Sequence, residues 1–98
     1  MDGKVAVKIR KQRNRRGWGL GPAASYSLNP PLLNARDGKE YRFVWVSQSG
    51  VFGEWESFIF PADENGKAIG YRELSGSRKG FISPDALMAE LGYQVVVG

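Results

Sequence analysis

The chain has 98 residues, 42% hydrophobic and 12% aromatic, enough for one thin core and too few for a second domain. It contains no cysteine and no histidine, which excludes disulfides, thiolate chemistry, cysteine-bound zinc and the usual general base at neutral pH. The net charge of +4 is unevenly spread: residues 1–16 hold seven basic side chains against one acidic (+6), and residues 17–98 hold seven against nine (−2).

From the N-terminus, Val5, Val7 and Ile9 alternate with Lys4, Ala6, Lys8 and Arg10. Period two with β-branched residues predicts a strand, and lysines on its polar side suit a guarded, solvent-facing edge. The next segment, "RKQRNRRGWGLG" at 10–21, packs five basic residues into seven positions and then sets Trp18 between glycines. It has no apolar periodicity and reads as a basic loop or arm over 10–21. Residues 22–40 read as irregular, because Pro30 and Pro31 forbid helix and favour extended geometry, and Asp37–Gly38 is a turn dipeptide.

"YRFVWVSQ" at 41–48 is the strongest strand, with Tyr41, Phe43 and Trp45 on one face and Val44 and Val46 on the other, so both faces are expected to be covered. A further strand is expected over 54–62, with a bulge near Gly53 or Ser57 where alternation fails. "DENGK" at 63–67 reads as a hairpin turn, and the returning strand would be Ala68 to Leu74. Ser83, Pro84 and Asp85 mark a helix start, Leu87, Met88 and Leu91 its apolar face, and Gly92 its stop. Tyr93 to Val97 closes the chain as a short strand. The fold class is therefore α+β: a mostly antiparallel sheet of about five strands, with one short C-terminal helix on a face and the whole chain a single domain. Exposed edge strands would let such a chain dimerise.

No catalytic constellation is evident. Glu54 and Glu56 share a strand face, yet no third ligand or base stands with them, and a solvent-facing pair is the simpler reading. "DENG" matches the start of a calcium loop, but Arg72 falls where the closing glutamate is needed. The glycines at 17, 19 and 21 precede Pro22 rather than a helix, which argues against a phosphate-cradling loop. No enzyme activity, cofactor or metal is expected.

The basic stretch carries the functional expectation. Arginines grip phosphate bidentately, and an aromatic such as Trp18 stacks on a base. The same combination also suits a protein-binding hot spot, and plain solubilisation remains the simplest role for such charges. The candidate partner-binding residues are Arg10, Lys11, Arg13, Arg15, Arg16 and Trp18, extended by Arg78 and Lys79 if their "GSRKG" loop lies beside the N-terminal strand.

Across residues 56–93, Glu56–Ser57, Phe60–Pro61–Ala62, Asp63 with Gly66, Glu73–Leu74, Gly76–Ser77, Ala86–Leu87 and Gly92–Tyr93 give the chain a pattern that resembles small accessory proteins of phages and prophages. Some proteins of that kind, anti-CRISPR proteins among them, inhibit host defence by binding an effector. The resemblance implies an interaction protein acting on a host protein or ribonucleoprotein complex, such as a CRISPR effector, in the bacterial cytoplasm. It carries no catalytic residue across. The alternative is a phage or plasmid protein that binds nucleic acid directly and without sequence preference. No apolar run is long enough for a membrane span, so no membrane partner is expected.

Overall fold

The computed structural model describes residues 3–12, 23–49, 55–70, 72–80 and 82–97, with the backbone alone at 10–12 and 49. Chain order is β1 (Lys4–Gln12), β2 (Ala23–Leu33), β3 (Glu40–Ser49), β4 (Glu56–Pro61), β5 (Arg78–Lys79), α1 (Pro84–Glu90) and β6 (Tyr93–Val97). The strands form one six-stranded sheet in the order β5-β4-β3-β2-β1-β6. Every neighbouring pair is antiparallel except β1 and β6, which run parallel. The α+β class holds, with a mixed sheet of six strands in place of about five antiparallel ones. A parallel pair requires a crossover, and α1 supplies it by carrying the chain from the β5 edge to the β6 edge.

The irregular stretch expected over 22–40 is largely strand. β2 is eleven residues long and runs through both prolines. Its pairing with β3 breaks register between Ser27 and Leu32, over the segment containing Pro30 and Pro31, where no N–H is available to donate to a ladder. The freed Pro30 carbonyl accepts from the Tyr93 hydroxyl at 2.8 Å, which ties β6 to β2. Among the described residues of 68–74 the expected returning strand does not form. The turn forms as expected, with Asp63 N–H donating to the Lys67 carbonyl at 2.9 Å and Gly66 at a φ of 81°. Beyond it Ala68 bridges Ala62, Ile69 N–H donates to the Pro61 carbonyl at 3.0 Å, and the chain rejoins β4 through Leu74 N–H to the Ile59 carbonyl and then through β5. The register of β4 on β3 is unbroken from Glu56 to Pro61, so Ser57 carries no bulge; Gly53 lies outside the described residues.

Cross-strand partners share a sheet face, so the register sorts the side chains. One face holds Ala6, Ala24, Tyr26, Leu28, Val44, Val46 and Ile59, all buried, and Leu87, Met88 and Leu74 close over them. Each such aliphatic side chain contributes about 1.5–3 kcal/mol when fully buried. The helix that covers this face has the expected signals. Ser83 accepts from Ala86 N–H at 3.2 Å, Pro84 occupies the first turn, and Gly92 follows at a φ of 92°. Seven residues are too few for a free-standing helix, so packing holds α1 in place.

The same bookkeeping overturns the guarded-edge reading of β1. This strand lies inside the sheet, between β2 and β6. Lys4, Ala6 and Lys8 belong to the helix-bearing face, and the two lysines are internal ties. Lys4 donates to the Leu91 carbonyl at 2.6 Å and sits 4.4 Å from the Tyr93 ring centroid, while Lys8 pairs with Asp85 at 2.9 Å. The long apolar stems let both cations lie along the core and still reach a partner.

Candidate functional site

The second face of the sheet is built by the complementary set: Val5, Val7, Ser25, Ser27, Phe43, Trp45, Phe58, Phe60 and Val96. Its aromatic residues are half-buried, and α1 lies on the opposite side. β3 and β4 supply four rings to it. Trp45 stands directly opposite Phe60, and Phe58 and Phe60 stack with centroids 5.7 Å apart and planes 13° from parallel. Residues i and i+2 of a strand share a face, so two aromatics at that spacing on each of two adjacent strands form a contiguous ring surface. The sequence pattern of β3 shows half of it, in Phe43 and Trp45. Phe58 and Phe60 are masked there by Ile59 between them, which makes the segment read as an unbroken apolar run.

A single bulge connects this surface to the basic stretch. Lys8 faces Tyr26, but the next register pair is Arg10 with Ser25, so Ile9 is an extra residue in β1. Without it, strict alternation would place Arg10 with Lys4 and Lys8 on the helix side. With it, Arg10 takes the register position in the row that continues through Ser25 and Trp45 to Phe60. Bulges re-aim a strand in this way, by one residue and one face. Lys11 then falls in the row of Ala24, Val46 and Ile59. Arg13, Arg15, Arg16 and Trp18 lie outside the described residues.

Arg78 and Lys79 do not lie beside the N-terminal strand. β5 is four strand positions from β1, which at about 4.8 Å per step is about 19 Å across the sheet. The Arg78 guanidinium is committed to Glu90, donating to both of its carboxylate oxygens. Lys79 is exposed and pairs in register with Glu56 of β4. The positive excess of residues 1–16 is less available than its count suggests, because Lys4 and Lys8 are used inside the molecule; the basic stretch itself keeps Arg10, Lys11, Arg13, Arg15 and Arg16.

Polar clusters elsewhere join elements of the fold. Tyr26 donates to Asp85, which also holds Lys8; burial first and that hydrogen bond second push the Tyr26 hydroxyl far above its ordinary range, so it stays protonated. At the other end of the sheet Tyr41 donates to Asp37 at 2.6 Å, lowering the Asp37 carboxyl and raising the Tyr41 hydroxyl, with Arg72 3.6 Å from the same carboxylate. Asn34 is fully buried beside them, its Oδ1 accepting from Ser75 N–H at 3.1 Å and Ser75 Oγ–H at 2.9 Å. Among the described residues no three acidic side chains converge as a metal site would require, and Glu54, half of the carboxylate pair, lies outside them. Among the same residues no helix is long and apolar enough to cross a membrane. No family model, curated protein or solved structure matches the chain.

Proposed function

We propose that the chain is a non-enzymatic protein that binds single-stranded nucleic acid without sequence preference. In this reading the basic stretch from Arg10 to Arg16 grips phosphates, and Phe43, Trp45, Phe58 and Phe60 receive unstacked bases. The observation that supports it is the bulge at Ile9, which starts the basic stretch in the same cross-strand row as Trp45 and Phe60. Every base has a π-face, so ring stacking is tolerant of sequence and is worth about 1–3 kcal/mol per base. Phosphate gripping is likewise sequence-independent. An accessory role for a phage or plasmid agrees with the resemblance over residues 56–93.

The test is fluorescence anisotropy of a labelled single-stranded oligonucleotide titrated with the full chain. Five basic side chains predict a log–log salt slope of about −3 to −4, or on the order of a hundredfold weaker binding between about 50 and about 200 mM salt. Arg13→Ala, Arg15→Ala and Arg16→Ala together should flatten that slope; Trp45→Leu should weaken binding and leave the slope unchanged. Salt-independent binding, or none, overturns the reading. If a host protein complex instead binds the chain with nanomolar affinity after nuclease treatment, the function is inhibition of that complex.

A further inference from the structure

The two edges of the sheet are built differently. β5 is two residues long and charged at both, a short edge of the kind that resists pairing with another chain. β6, at the other end, has five residues, "YQVVV", with no charge, proline or glycine. It pairs with β1 through five consecutive register positions without a bulge, so its pairing is regular along its whole length. Gln94 is exposed, and Val97 at 85% is among the most exposed large apolar residues described. Among the described residues no strand lies beyond it.

We infer that β6 is a self-pairing edge, on which a second copy of this chain adds its own β6 antiparallel about a two-fold axis through Val95. Full overlap of a five-residue strand with itself sets that register: Tyr93 opposite Val97, Gln94 opposite Val96, and Val95 opposite Val95 of the other copy. Every cross-strand pair is then uncharged, and at three of the five positions (Tyr93 with Val97, Val97 with Tyr93, and Val95 with itself) both partners are apolar. A charged partner would find nothing complementary on this edge, whereas an identical strand finds the same pairs in both directions, as a closed two-fold interface demands. The unpaired backbone groups of β6 would gain partners, which is the basis of strand addition. The axis stands perpendicular to the sheet, so the dimer is one twelve-stranded sheet whose two ring-bearing faces lie on the same side. The inference goes beyond the nucleic-acid reading and does not depend on it.

The experiment is sedimentation equilibrium of the full chain from micromolar to submillimolar concentration. A monomer–dimer equilibrium is expected, abolished by Gln94→Lys with Val97→Lys, two exposed positions whose change leaves the monomer folded. Register is tested by single thiols, since the natural chain has no cysteine. Across the two-fold, paired Cα atoms stand about 4.5–5.5 Å apart, within disulfide reach, so Val95→Cys should oxidise to a covalent dimer. Val97→Cys should not, because the two thiols would sit about 13 Å apart along the strands. A monomer at every concentration, a dimer indifferent to the lysines, or equal cross-linking at 95 and 97 would overturn the inference.

Discussion

The ammonium of Lys8 lies 2.9 Å from the Asp85 carboxylate with only 13% of the lysine side chain exposed, so a residue in the middle of β1 is fastened to the first turn of α1. Asp85 accepts from Tyr26 as well, which makes one carboxylate the junction of β1, β2 and the helix. Asp85→Ala strands a buried phenol and a nearly buried ammonium and should cost about 2 kcal/mol; Lys8→Met should cost about 1. Arg78→Ala removes a pair that is 48% and 46% exposed and should cost under about 0.5 kcal/mol. Urea denaturation of the three variants checks the order, with unchanged m-values expected.

Stability should fall on the alkaline side more steeply than the charge alone predicts. Tyr26, Tyr41 and Tyr93 all have hydroxyls raised above the ordinary 10.0, Tyr26 and Tyr93 by burial first and Tyr41 by its hydrogen bond to Asp37. A raised pKa means the folded state keeps a proton that the unfolded chain releases. The stabilisation is therefore complete below pH 10.0 and is lost as pH rises beyond it. Tyr26→Phe should lower stability at neutral pH, through the lost bond to Asp85, and flatten the alkaline limb. Denaturation midpoints followed from pH 8 upward, at steps of about one unit, read both effects.

On the acid side the sign reverses. The Asp37 carboxyl is held below its ordinary 3.8, chiefly by the Tyr41 hydroxyl and then by the Lys39 N–H. Its contribution is present above 3.8 and disappears as pH falls through the lower folded value. Tyr41→Phe should therefore move the acid unfolding midpoint upward, which circular dichroism during acid titration would register.

Two glycines at positive φ should respond very differently to a methyl group. At Gly76, φ is 104° and an added Cβ would come within 3.0 Å of both Ile59 Cδ1 and Leu91 Cδ1. At Gly38, φ is 72° and the space is open. Gly76→Ala combines backbone strain with overpacking of the helix–sheet seam and should cost about 2–4 kcal/mol; Gly38→Ala should cost about 1–2. For a domain of this size the first should lower Tm by about 10–25 °C.

Local chemistry was legible wherever one residue's own geometry decides the outcome. Ser83, Pro84 and Gly92 bound the helix, and Asn65–Gly66 makes its turn. What the pattern could not show was pairing. β2 hides behind two prolines whose missing donors the structure absorbs in a register break. Lys4 and Lys8 look like solvent-side residues because alternation reports which residues share a face, and carries no information on whether that face is wet. The ring surface depends on β3 and β4 being neighbours, and the register position of Arg10 opposite Ser25 depends on one extra residue at Ile9; both are facts of register rather than of composition. The distance between Arg78 and the N-terminal strand is likewise a property of strand order.

The parallel pairing of β1 with β6 has a mechanical consequence. Lys4 faces Tyr93 and Lys8 faces Val97, so the start of the first strand and the end of the last point in opposite directions along one ladder. A pull applied through Gly3 and Val97 would load all five register positions at once, in shear, instead of opening them one after another. Bonds that share a force break together or not at all. The β1–β6 seam is thus also the element that would resist a force applied between Gly3 and Val97.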